Sequence, residues 1–93
     1  MEIRIDPHTL ERAEERGTNA EEIKEVINYG FSIPAKRGRR GSMRVYDFNQ
    51  TRQGKFYEQK RVEVIYTVEQ DVIVTITVYV FYGKWENPNA DSV

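Results

Sequence analysis

Residues 71–82 carry the longest strand signal in the chain, and its two faces are unequal. Val72, Val74, Ile76, Val78 and Val80 alternate with their neighbours to make one continuous apolar row. A sheet cannot leave such a row in water, so a second layer must cover it. Ile73, Thr75, Thr77, Tyr79 and Phe81 make the other row, whose hydroxyls and rings tolerate partial wetting. This strand is therefore expected in the middle of a sheet with one closed face. Two more alternating segments precede it. Met43–Phe48 sets Arg44, Tyr46 and Phe48 against Met43, Val45 and Asp47, and Phe56–Val68 is strongest at Val62, Val64, Tyr66 and Val68. Turns are expected at residues 49–55, which contain Gly54, and at Glu69-Gln70-Asp71. The product is an antiparallel meander.

The covering layer is written upstream as two short helices. Asp6 is suited to cap the first, Pro7 to occupy its first position, and Gly17 to end it in the left-handed conformation. At about 100° per residue, Leu10, Ala13 and Gly17 share one side, Glu11, Glu14 and Glu15 a second, and His8, Arg12 and Arg16 a third. A second start follows at once: Thr18 with Glu21, or Asn19 with Glu22, fits a capping box. From Ala20 to Tyr29, Ile23, Val26 and Ile27 form one apolar stripe, and Gly30 is the expected end. Ile3 and Ile5 alternate in a short N-terminal strand, and Pro34 restricts 31–35 to an edge strand or extended approach. The predicted fold is α+β: a short N-terminal strand, then a two-helix hairpin on one face of a three- to four-stranded antiparallel meander.

Ninety-three residues fit a single domain over 1–93. Residues 1–85 are read as its ordered core and 86–93 as a flexible tail, with Trp85 docking back. No run approaches the roughly 18 apolar residues of a membrane span, and no apolar stretch near Met1 resembles a secretory signal. A cytoplasmic protein without membrane contact is expected. With no cysteine and a single histidine, thiolate chemistry is absent and carboxylates would dominate any metal site, so neither metal nor cofactor is expected.

The net charge of −1 conceals a strong segregation. Residues 1–29 hold four basic and eight acidic side chains, residues 30–61 nine and two, and residues 62–93 one and five. A middle third at +7 attracts phosphate whatever the whole-chain balance. Its densest part, Lys36-Arg37-Gly38-Arg39-Arg40-Gly41-Ser42, reads as a flexible basic loop. The His8/Arg12/Arg16 row has two readings. Two arginines one turn apart repel, and an anion between them would relieve this; alternatively Arg12 pairs with Glu15 and the row is solvated surface.

The segment His8-Thr9-Leu10-Glu11-Arg12-Ala13-Glu14-Glu15-Arg16-Gly17, followed by Glu21-Glu22-Ile23 and by an Ile-Thr-Val-Tyr strand ending at Tyr79, resembles the bacterial domain of unknown function 4258 family. That family typically opens H-A-x-x-R-M-x-E-R-G-I-[ST]. The likeness extends from His8 to about Tyr79, with Thr9, Ala13 and Thr18 departing from the family's usual alanine, methionine and isoleucine. Through it the chain looks related to RelE/ParE-like toxins and the wider barnase–colicin–RelE group of metal-independent ribonucleases. The resemblance places the recurrent histidine and arginines at His8, Arg12 and Arg16, and the strand threonine and tyrosine at Thr77 and Tyr79. It also implies a cognate antitoxin as partner.

Three functions follow from these readings. A metal-independent endoribonuclease of the toxin–antitoxin type would cut RNA through its own 2′-OH, with His8 as acid or base, Arg12 and Arg16 on the phosphate, and Tyr79 beside them. Arg37, Arg39, Arg40 and Arg44 would gather the RNA backbone, while Tyr46 or Tyr79 stacks a base near Thr77. A non-catalytic module would use the same basic middle segment to hold RNA, DNA or an acidic protein partner, with the His8/Arg12/Arg16 row purely structural. A homodimer would pair an exposed strand such as Met43–Phe48.

Overall fold

The computed structural model describes residues 1–85; the tail expected at 86–93 lies outside the described residues. In chain order the elements are β1 (Glu2–Arg4), α1 (Pro7–Arg16), α2 (Ala20–Tyr29), β2 (Phe31–Ile33), β3 (Arg40–Arg52), β4 (Lys55–Glu69) and β5 (Val72–Gly83). They form one five-stranded sheet in the order β1-β5-β4-β3-β2, with both helices on one face. The α+β architecture is as expected. The sheet comprises the short N-terminal strand and a four-stranded antiparallel meander, as expected, but as a whole it is mixed rather than antiparallel. β1 runs parallel to β5, pairing Ile3 with Ile73, because the meander returns to the N-terminal strand in the direction it left.

The expected caps form, with one choice settled. Asp6 Oδ1 accepts the backbone N–H of His8 at 2.8 Å, and Pro7 opens α1. Asn19, not Thr18, caps α2 through the N–H of Glu22 at 2.8 Å, while the Thr18 hydroxyl donates to the Glu22 carboxylate at 2.7 Å. The meander turns are tighter than expected: Gln53–Gly54 and Gln70–Asp71 are two-residue connections with both residues at positive φ, matching the twist of the strands they join. In the basic segment the Arg39 N–H donates to the Lys36 carbonyl at 2.9 Å, closing a turn, and Gly41 and Ser42 are buried strand residues rather than loop.

The core lies between Ala13, Ile23 and Val26 of the helices and Val62, Val64 and Val78 of the sheet, all fully or almost fully buried. Burying each of the valines and isoleucines contributes about 1.5–3 kcal/mol, so a core of this size gives a domain of modest stability.

Two corrections concern which residues face that core. On α1 the inward residues are Thr9 and Ala13, whereas Leu10 is 42% exposed. Thr9 is accommodated because its hydroxyl meets the Thr75 hydroxyl at 3.0 Å, and Thr75 also accepts the Asp6 N–H. On β5 the apolar row expected from Val72 to Val80 does not share one face. Ile65 and Tyr66 are adjacent on β4 but pair with Thr77 and Thr75, which leaves Ile76 as an extra residue. This bulge shifts the phase by one: Ile73 and Thr75 face the helices before it, and Val78, Val80 and Tyr82 face them after it. β4, not β5, occupies the centre of the sheet, and β1 flanks β5 only at Val72–Val74. The outer backbone of β5 beyond Val74 is left to α1.

Candidate functional site

α1 crosses this outer edge of β5, and its last turn is held by three side chains from the sheet. The Tyr82 hydroxyl donates to the Arg16 carbonyl at 2.6 Å, Arg52 to the Glu15 carbonyl at 2.8 Å and Lys60 to the Gly17 carbonyl at 2.9 Å. These carbonyls lack helical partners, and two cations there also suit the negative end of the helix dipole. Lys60 completes its coordination on Glu22 at 2.9 Å, so this nearly buried cation is neutralised in place.

So fixed, the Arg16 side chain reaches across the edge of β5. Its guanidinium donates to the Val78 carbonyl at 2.6 Å and lies 5.3 Å from the centre of the Tyr79 ring. Tyr79 points to the face without helices, 42% exposed, and stacks on Phe81 with centroids 6.4 Å apart. Beside it is a groove of about 300 Å³. β4 contributes Glu63 and Ile65, β5 Thr77 and Tyr79, β2 its last residue Ile33, and the connection from β2 to β3 Pro34, Ala35, Lys36 and Arg39. Gly41 makes this closeness feasible: a Cβ there would stand 2.8 Å from the Ile33 side chain and 3.3 Å from that of Ile65.

The residues singled out in the sequence therefore divide. Thr77, Tyr79 and Arg39 line the groove, and Arg16 lies against the Tyr79 ring beside it. His8 is exposed in the first turn of α1, and its backbone N–H is bonded to the Asp6 carboxylate. Arg12 pairs with Glu15 at 3.0 Å in solvent, the solvated alternative for that row. Arg37 and Arg40 are exposed in the turn and at the start of β3. Arg44 and Tyr46 lie on the helix-covered face, with the Arg44 guanidinium 5.4 Å from the Tyr46 ring centre and the Tyr46 hydroxyl donating to Glu25 at 2.8 Å. The strand Met43–Phe48 pairs with β4 over Met43–Asp47 and meets β2 on its other side at Met43.

Lys36, Glu63 and Phe81 were not among the sequence candidates. Glu63 carries a faint signal, an acid between Val62 and Val64 in the strongest part of a strand. Lys36 and Phe81 carry none that separates them from their neighbours. Among the described residues no group of three or more histidines, aspartates or glutamates converges to hold a metal ion, and no helix is long and apolar enough to cross a membrane.

Tyr46 gives a pH prediction. Burial, and then the hydrogen bond to Glu25, push its phenol well above the usual value of 10. Below pH 10 both folded and unfolded chains keep the proton; above it the unfolded chain ionises first, so this contribution is lost as pH rises past 10. Tyr46→Phe is expected to lose less stability between pH 9 and 11.5 than the parent protein in urea titrations. Equal losses would contradict the assignment.

A two-layer α+β domain with helices on one face and an aromatic, cation-rimmed groove on the other defines the structural class. The sequence profile of the family described as "Domain of unknown function (DUF4258)" matches residues 5–80, and the chain belongs to that family. No curated relative and no solved structure matches it.

Proposed function

We propose that this protein is a single-stranded RNA-binding domain that holds its ligand across the open face of the sheet, at Arg16, Tyr79 and the adjoining groove. The observation that carries this reading is the stacked, exposed Tyr79–Phe81 pair with a guanidinium beside it. Flat exposed rings suit unstacked bases, at about 1–3 kcal/mol per base, and the cations beside them suit the connecting phosphates. Lys36 and Arg39 extend the positive charge along the groove, and neither has a salt-bridge partner among the described residues. The helical layer carries Glu11, Glu14, Glu15, Glu21, Glu22 and Glu25 and so disfavours phosphate on the opposite side.

The strand–helix–helix–meander order is also the one the RelE-like relationship implies, which supports RNA as the ligand and an acidic antitoxin as a competitor for the same rim. Binding of a ten-nucleotide RNA, followed by fluorescence anisotropy between 50 and 200 mM salt, tests the proposal. Three phosphate contacts from Arg16, Lys36 and Arg39 predict a log–log slope of about −2 for a single strand. A slope near zero, or equal binding of a duplex, would contradict it.

Cleavage is a second reading, favoured by the proximity of Arg16 to the Tyr79 phenol. There the 2′-OH would attack phosphorus as solvent hydroxide takes its proton, Arg16 would stabilise the phosphorane charge, and Tyr79 would protonate the departing 5′-oxygen and regain its proton from water. Accumulation of 2′,3′-cyclic phosphate ends, abolished in Tyr79→Phe, distinguishes it from binding alone.

A further inference from the structure

We propose that the groove beside Tyr79 reads the base of one bound nucleotide, with Glu63 accepting a hydrogen bond from the base's exocyclic amino group; this rests on the RNA-binding reading above. At about 300 Å³ the groove is at the small end of ligand sites, suited to one flat ring system with its phosphate at the mouth. Its composition is ordered accordingly. Tyr79 offers an aromatic ring, Ile33, Pro34 and Ile65 offer apolar walls, and Lys36 and Arg39 offer positive charge.

Glu63 is the exception, an acid in a groove otherwise suited to an anion. Its side chain is 19% exposed, and Arg61 Nε donates to Glu63 Oε2 at 2.8 Å. This bond balances the charge and fixes the carboxylate, while Glu63 Oε1 has no hydrogen-bond partner among the described residues. An ionised carboxylate accepts and never donates. A base in the groove must therefore present a donor: the amino group of cytosine, adenine or guanine satisfies Oε1, whereas uracil presents a carbonyl oxygen where cytosine has its amino group. Glu63 faces Tyr79 directly across the β4–β5 pairing, so a ring lying against Tyr79 has its edge within the carboxylate's reach.

Cytosine and uracil have similar size and stacking but differ both at the amino group and at N3, an acceptor in cytosine and a donor in uracil. A cytosine dimethylated on its amino group is therefore needed to isolate this contact. The experiment compares 5′-fluorescein-labelled C10, U10 and a ten-nucleotide N4,N4-dimethylcytidine RNA on the full chain at one salt concentration. C10 is expected to bind about tenfold more tightly than U10. The dimethylated oligomer, which keeps the ring but loses both amino hydrogens, is expected to fall to the U10 level without any change to the protein. In Glu63→Gln, whose amide can donate as well as accept, the C10/U10 ratio is expected to fall within about twofold. Salt-dependent binding with equal affinities for C10 and U10 overturns the role of Glu63 and leaves the RNA-binding reading standing. Retention of affinity by the dimethylated oligomer does the same. Failure of all three oligomers to bind overturns both.

Discussion

Replacing Gly17 by alanine is expected to cost about 2–4 kcal/mol, a fall in Tm of roughly 10–25 °C for a domain of this length. Two independent penalties combine. Gly17 has φ +95°, where a side chain is strained, and a Cβ there would overlap the Tyr82 hydroxyl and stand 2.9 Å from Arg52 Nη1. Those two groups hold the C-terminal carbonyls of α1, so the collision falls on the contacts that place Arg16. Gly38→Ala separates the terms, because Gly38 has φ +75° with no atom within 4 Å of a Cβ and should cost about 1 kcal/mol from backbone strain alone. Adding Tyr82→Phe to Gly17→Ala should recover part of the loss as a favourable coupling in a double-mutant cycle. Thermal melts of the four variants measure this, and a Gly17→Ala protein within 0.5 kcal/mol of the parent would refute the packing argument.

Arg16→Ala is expected to weaken single-stranded RNA binding by about tenfold or more and to make the salt slope shallower by about 0.7, the share of one phosphate. The guanidinium uses one N–H on the Val78 carbonyl and lies beside the Tyr79 ring, so a phosphate near that ring would meet its remaining donors. Arg16→Lys should be intermediate, since an ammonium keeps the charge but loses the planar fork that serves edge, ring and phosphate together. His8→Ala and Arg12→Ala are the internal comparison: His8 stands exposed at the other end of α1 and Arg12 is paired with Glu15 in solvent, so each should change affinity less than twofold. Anisotropy titrations that rank His8→Ala or Arg12→Ala with Arg16→Ala would remove the open face from consideration.

The contrast among these three residues illustrates how far the sequence could be read. Their four-residue spacing places them on one helical stripe, and α1 does present them in that order. A stripe has length, however, and only its last turn reaches the outer backbone of β5. The charge map was legible in the same partial way. It located a basic middle segment, and Lys36 and Arg39 border the groove, while Arg44 and Tyr46, from the same segment, turn under the helices because β3 alternates.

The two helices, the Asp6 cap of α1, the longer strands and the turns between them are legible along the chain, because each is encoded in contacts or dihedral preferences within a few residues. The cap of α2, by contrast, stayed open between Thr18 and Asn19, and residues 40–42 read as loop. The sequence also put Thr77, Tyr79 and Phe81 on one face together, as the structure has them. Long-range contacts alone set Ile73 and Thr75 off that face, run β1 parallel to β5, and bring Glu63 and Lys36 into one groove with Tyr79. The reason is common to all three. A bulge, a parallel neighbour and a groove are defined by the partner strand, and pairing phase is settled by burial across the sheet rather than by the residues on either side in the chain.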